Sequence, residues 1–119
     1  MATIDLSGYG HNEYEAVTGN KTLDLGDSGV VQNVTATCTV TLPATVVGTV
    51  YLIRVGAEGK TVTISPNASD KIAGNGYTPV DDKDIVFTNQ PAGSYVELTA
   101  DGVNGYMVSR ICGTATYQA

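Results

Sequence analysis

The sequence predicts an all-β fold, a small antiparallel β-sandwich or barrel, and three observations carry that prediction. Residues 35–42 alternate strictly: Thr35, Thr37, Thr39 and Thr41 hold one parity, while Ala36, Cys38, Val40 and Leu42 hold the other. Side chains along a strand point to opposite faces in turn, so this stretch makes a half-buried strand with a hydroxyl face and an apolar face. Val and Thr are abundant, and β-branched side chains, stiff at χ1, suit a pleated surface. The 14 glycines recur with Asn, Asp, Ser and Pro between short apolar-patterned runs, which is the punctuation of a chain rich in tight turns. No segment shows a helix period, and no full-length repeat is visible.

A chain of 119 residues fits one domain with a modest core, and an apolar content of 42% sets it apart from disordered chains. Residues 1–20 read as an extended N-terminal arm. A Gly-rich polar stretch runs from Ser7 to Asn12, and Thr18, Gly19 and Asn20 signal a turn. Ile4, Leu6, Tyr9 and Tyr14 are the arm's anchors if it lies across a partner or adds a strand to a sheet edge. Without such an anchor it frays, as unattached termini do.

Residues 21–113 read as the single β-domain. A short strand over 21–25 turns Leu23 and Leu25 inward, residues 26–29 make a turn, and residues 30–34 form a further short strand. Pro43, which has no N–H to give, ends the strand that begins at Thr35. In residues 49–55, Tyr51, Ile53 and Val55 share one face, and Leu52 and Arg54 the other. The gap at 56–59 holds two glycines and predicts a hairpin to residues 60–65, where Val62 and Ile64 point in and Thr61 and Thr63 point out. Pro66 stops that strand as Pro43 stopped the earlier one.

Ile72 reads as a plug beneath a loop, residues 77–80 as an edge strand and residues 81–84 as an acidic turn. Strands follow at 85–88 and 94–100, the latter with Val96, Leu98 and Ala100 inward. Residues 101–105 turn tightly, 106–112 close the sheet and 114–119 form a polar tail. Short gaps predict that hairpins dominate the connections.

The net charge of −6 and the scatter of only six Lys and Arg residues, from Lys21 to Arg110, argue against direct nucleic-acid binding, which displaces counterions with cations. The opening residues lack the basic and apolar regions of a signal peptide, and no run approaches the ~18–20 apolar residues of a membrane span. No membrane association is expected, and synthesis and retention in a cytoplasm are. Cys38 and Cys112 lie in strand-like runs and read as small, reduced, buried residues, with a single disulfide as the alternative. His11 is the only histidine and no C-x-x-C pair exists, so a zinc site has no support.

Asp81, Asp82 and Asp84, like Asp24 and Asp27, lack the spacing of a calcium loop and read as solvated. A serine or cysteine nucleophile would need His11 as its base, yet His11 sits in the arm and no G-x-S-x-G occurs. The chain is therefore not expected to be an enzyme or to hold a cofactor or metal.

Several runs occur in a telling order. Residues 39–43 (Thr-Val-Thr-Leu-Pro) precede residues 62–67 (Val-Thr-Ile-Ser-Pro-Asn) with Asp70, Lys71 and Ile72. Residues 93–98 (Gly-Ser-Tyr-Val-Glu-Leu) and 101–109 (Asp-Gly-Val-Asn-Gly-Tyr-Met-Val-Ser) follow. From about Thr22 to Ile111 the chain resembles the small β-domains of tailed-phage virion proteins, both capsid decoration (cement) proteins and tail-fibre or tail-spike modules. Its motifs are strand-and-turn patterns, and Tyr106 stands where that family often has Trp.

The resemblance implies a jelly-roll-like β-domain that works as a homotrimer and binds other virion proteins or host surfaces. A chain without shaft, heptads or collagen-like repeat looks more like a decoration protein, which is made in the host cytoplasm and seated on the outer capsid surface of the virion, with the major capsid protein as its partner. On this reading Ile4, Leu6, Tyr9 and Tyr14 grip the capsid, and Leu52 and Tyr95, on outward faces, meet neighbouring subunits. The alternative is a tail-fibre or receptor-binding tip that recognises a host surface glycan.

Overall fold

The structure, a computed structural model, describes residues 13–67, 70–74, 76, 83–103 and 105–118. Ile4, Leu6, Tyr9 and His11, the edge strand expected at 77–80, and Asp81 and Asp82 lie outside the described residues.

Six short strands open the described chain: β1 (Glu13–Val17), β2 (Lys21–Thr22), β3 (Val30–Val34), β4 (Cys38–Thr41), β5 (Val50–Val55) and β6 (Thr61–Ser65). They alternate between two sheets. β1, β3 and β5 are parallel neighbours in a six-stranded sheet, and β2, β4 and β6 are parallel neighbours in a five-stranded sheet. The chain thus winds as a flattened coil of three turns, each stacked in register on the last, so that Val34 lies beside Val55 and Val40 beside Ile64.

This corrects the antiparallel, hairpin-connected arrangement expected from the sequence. Residues 56–60, glycines included, carry the chain from one sheet to the other instead of reversing it within one. Five strands complete the molecule: β7 (Lys71–Ala73), β8 (Ile85–Thr88), β9 (Tyr95–Ala100), β10 (Gly105–Cys112) and β11 (Thr116–Tyr117). β9 and β10 form a hairpin against β5, with an irregularity between Val108 and Arg110, while β8 extends the other sheet antiparallel to β6 and β11 pairs antiparallel with β8 at its edge. β7 runs parallel to β10, which makes Ile72 a strand residue and not a loop plug. The fold is all-β, with two mixed sheets.

Apolar side chains of alternate parity meet between the sheets. Across the smaller sheet, Cys38, Val62 and Phe87 share one row and Val40, Ile64 and Ile85 the next. Across the larger sheet, Tyr51 lies beside Leu98 and Ile53 beside Val96. All ten belong to one buried cluster. Tyr106, fully buried, meets the Tyr51 ring edge-on at 5.9 Å between centroids, and its hydroxyl donates to the Pro43 carbonyl at 2.7 Å. That bond ties a strand of the larger sheet to the segment leaving β4, and it satisfies a hydroxyl that burial would otherwise penalise.

Several boundaries differ from the sequence reading. Residues 13–17, assigned to the arm, form β1 at the edge of the larger sheet, and residues 116–117, assigned to the tail, form β11 at the edge of the smaller one. Leu25 is 51% exposed, because Asp24 caps a 3-10 turn at Leu25–Asp27 in place of a longer strand. The strand expected from Thr35 begins at Cys38. The Thr35 N–H donates to the Val17 carbonyl, and the Thr37 hydroxyl accepts from the Thr61 N–H, so these residues cross between sheets. Cys38 is buried, and desolvation raises its thiol pKa, but Cys112 is exposed at the end of β10; both are free thiols.

Candidate binding surfaces

The two sheets present outer faces of different chemistry. On the smaller sheet the outward rows are hydroxyl-rich. Thr22, Thr41 and Ser65 form one row, and Thr39, Thr63, Val86 and Thr116 the next. These are the residues left outward when Val40, Ile64 and their neighbours turn inward.

The larger sheet carries an amphipathic outer face. One row runs Tyr14, Val31, Leu52, Glu97 and Arg110; the next runs Ala16, Asn33, Arg54, Tyr95 and Cys112. Three residues singled out in the sequence, Tyr14, Leu52 and Tyr95, therefore share one face. Tyr14 is 61% exposed at its border, and Leu52 and Tyr95 are half-buried within it. The Arg54 guanidinium is held between two neutral oxygens, donating to Asn33 Oδ1 at 2.6 Å and to the Tyr14 hydroxyl at 3.2 Å. Gly56 makes room for this arrangement, since a Cβ there would stand 2.6 Å from Asn33 Oδ1. Glu97 and Arg110 form a looser pair at 3.6 Å. Tyr, Arg and exposed Met107 on a half-apolar face match the composition of protein interfaces.

A third surface was not found in the sequence. The crossings from the smaller sheet to the larger, residues 23–29 and 42–49, and the β9–β10 turn all lie at one end of the sandwich. There Leu25, Val46, Val47 and Val103 are exposed, the last three by 47%, 71% and 85%. Val47 packs over Gly102, where an added Cβ would lie 2.7 Å from its methyl group, so the two loops touch. The signal was available: valines within Gly-flanked turns have no strand parity to bury them.

Among the described residues, no group of three or more His, Cys, Asp or Glu is placed to hold a metal ion. The opposite end of the sandwich carries an open depression lined by Glu58, Gly59, Asn89 and Pro91. No family model, curated protein or solved structure matches the chain.

Proposed function

We propose that the protein is a structural binding module of a phage virion, a head decoration protein that docks on the outer capsid surface and packs against copies of itself as a trimer. The observation that carries the docking reading is the exposure of Leu25, Val46, Val47 and Val103 at one end of the sandwich. Exposed apolar side chains gathered at one end of a domain stay costly in water until a partner covers them. The Tyr14, Leu52 and Tyr95 face serves the contacts between copies, with Arg54 offered to a carboxylate of the neighbour. The sequence resemblance to small virion β-domains supplies the partner, the major capsid protein.

Val47→Asp combined with Val103→Asp tests the docking. Both side chains are exposed, so the melting curve should stay unchanged while sedimentation with undecorated capsids shows binding lost. Full binding by the double variant refutes the docking end. Leu52→Glu should shift the solution mass from trimer to monomer, and a wild-type chain that is already monomeric refutes the self-contact. Binding to host cells with no binding to capsids would instead identify a tail-fibre or receptor-binding tip.

A further inference from the structure

The first turn of the coil carries polar side chains at core positions. In the larger sheet Glu15, Gln32 and Ile53 share one inward row, and in the smaller sheet Lys21 shares an inward row with Val40. We propose that Lys21 and Gln32 are a modification site. There the folded chain joins the Lys21 amine to the Gln32 side-chain carbonyl as an amide, releasing ammonia, with Glu15 as the proton carrier. The bond ties β2 of the smaller sheet to β3 of the larger one. It stands apart from the capsid reading and needs no partner.

The state of the Gln32 amide provides the first argument. Gln32 is fully buried, and its Oε1 accepts from the Lys21 ammonium at 3.0 Å. Among the described residues its Nε2 has no hydrogen-bond partner. Exchanging the two amide atoms gives no relief, because it points an N–H donor at an ammonium that has only donors. A network kept for stability alone pairs its buried donors, since an unpaired one bears the full desolvation of the group. Amide formation removes the orphan itself: Nε2 leaves as ammonia, and the new N–H has the Glu15 carboxylate as its acceptor.

The surroundings of the amine provide the second. Lys21 Nζ is in direct contact with the Glu15 carboxylate and lies 3.6 Å from Asp27 Oδ1. Asp27 is held in turn, its Oδ2 accepting from the Asp24 N–H at 3.0 Å. Three oxygens thus fix Nζ, and one of them is bonded to the carbon under attack. Glu15 takes a proton from the ammonium, and the free amine adds to Gln32 Cδ to form the C–N bond. Glu15 passes that proton to Nε2, the Cδ–Nε2 bond breaks and ammonia departs. The second amine proton leaves through Glu15 and ends on ammonia as ammonium in water. Atoms and charge balance without a further reagent. Holding amine and carbonyl together in one fold replaces a slow encounter with a step inside one molecule. Lys21 and Glu15 are only part-buried, which gives the ammonia a way out.

The place of the bond gives it a use. β2 is two residues long and borders the smaller sheet, paired with β4 alone. Both cysteines are free thiols, so no disulfide holds this turn. An amide between residues 21 and 32 closes a ring around the 3-10 turn and restricts the unfolded chain as a disulfide does, while resisting reductants.

Intact mass of the full chain, measured in denaturant, tests the proposal. The wild type should be lighter than its sequence by one ammonia. Peptide mapping should find Lys21 uncut by trypsin and joined to the peptide that carries Gln32. Glu15→Gln and Lys21→Arg should each restore the full mass and melt below the wild type, with circular dichroism confirming that they fold. An unmodified wild-type mass overturns the proposal, whatever the variants do. So does a loss of ammonia without a link between residues 21 and 32. A loss of water, with Lys21 linked to Glu15 or Asp27, overturns Gln32 as the acyl partner. Complete linkage in folded Glu15→Gln overturns the role of Glu15.

Discussion

Replacing Tyr106 by Phe removes one oxygen from the centre of the molecule and little else. The ring keeps its edge-on contact with Tyr51, and the hydroxyl bond to the Pro43 carbonyl is lost. Pro43 is half-buried, so water recovers part of that carbonyl's hydrogen bonding, and the net cost near neutral pH should be about 1 kcal/mol. For a domain of this size that lowers the melting temperature by roughly 3–6 °C.

Alkali should then erase the difference. Burial, with smaller contributions from Tyr51 and Asp70, raises the Tyr106 hydroxyl pKa well above its ordinary value. Below about pH 10 both folded and unfolded chains keep that proton, and the group adds no pH dependence. Above about pH 10 the unfolded chain ionises while the folded chain does not. Stability falls by up to ~1.4 kcal/mol per pH unit until the pH reaches the folded-state value. The Tyr106→Phe variant has no hydroxyl proton to lose at this position. Tyr51, also raised by burial, titrates in both chains and cancels from the comparison. The wild type should therefore lead by about 1 kcal/mol near pH 7 and fall level with or below the variant near pH 11, as read by urea denaturation followed by circular dichroism. A gap that stays constant across that range refutes the buried-hydroxyl account.

Two further substitutions and one labelling experiment probe other parts of the fold. Gly105 has φ of +125°, and a Cβ there would stand 2.8 Å from both the backbone N and O of Lys71, so Gly105→Ala must displace β7 from β10. A loss of about 3 kcal/mol or more in denaturant melts is expected. Gly19→Ala, with nothing within 4 Å, should change stability by no more than about 0.5 kcal/mol; equal effects at the two sites would refute the packing argument. In the folded protein a thiol reagent should modify Cys112 at once and Cys38 only at the rate of unfolding, because Cys38 is buried and its pKa is raised. Rapid loss of both thiols would contradict that burial.

The inward and outward parity of most strands was legible in the sequence, because alternation reports which side chains face the core whatever the strand's neighbours are. Tyr51, Ile53 and Val55, Val62 and Ile64, and Val96, Leu98 and Ala100 are buried as their parity requires. Strand direction was not legible, for the same reason. A Thr-Val-Thr-Ile run pairs equally well with a parallel or an antiparallel partner, and a Gly-bearing gap such as 56–60 serves a hairpin or a crossing between sheets. What separates the two is long-range register, with Thr39 beside Thr63 and Thr41 beside Ser65, and that lies in no single stretch. The Thr-out, apolar-in alternation of residues 35–42 recurs at residues 61–64, yet the coil turns vary in length and hide the repeat.

The candidate surfaces divide on the same line. Leu52 and Tyr95 were identifiable because they sit on strands with clean parity. Leu25 was placed on the wrong side because Asp24 diverts the chain into a 3-10 turn after two strand residues. Val46, Val47 and Val103 lie in turns, where parity assigns no face at all.

A stacked coil invites end-to-end addition of copies, since each turn is a template for the next. The inner positions of the first turn resist it. Where later turns place Ile53, Val40 and Ile64, the first places Glu15 and Lys21, joined by an ion pair; Asp27 lies 3.6 Å from the same ammonium, and Gln32 is fully buried beside it. A foreign apolar strand laid over this cluster would have to desolvate charges it cannot pair. The charges at the first turn thus oppose polymerisation of the coil.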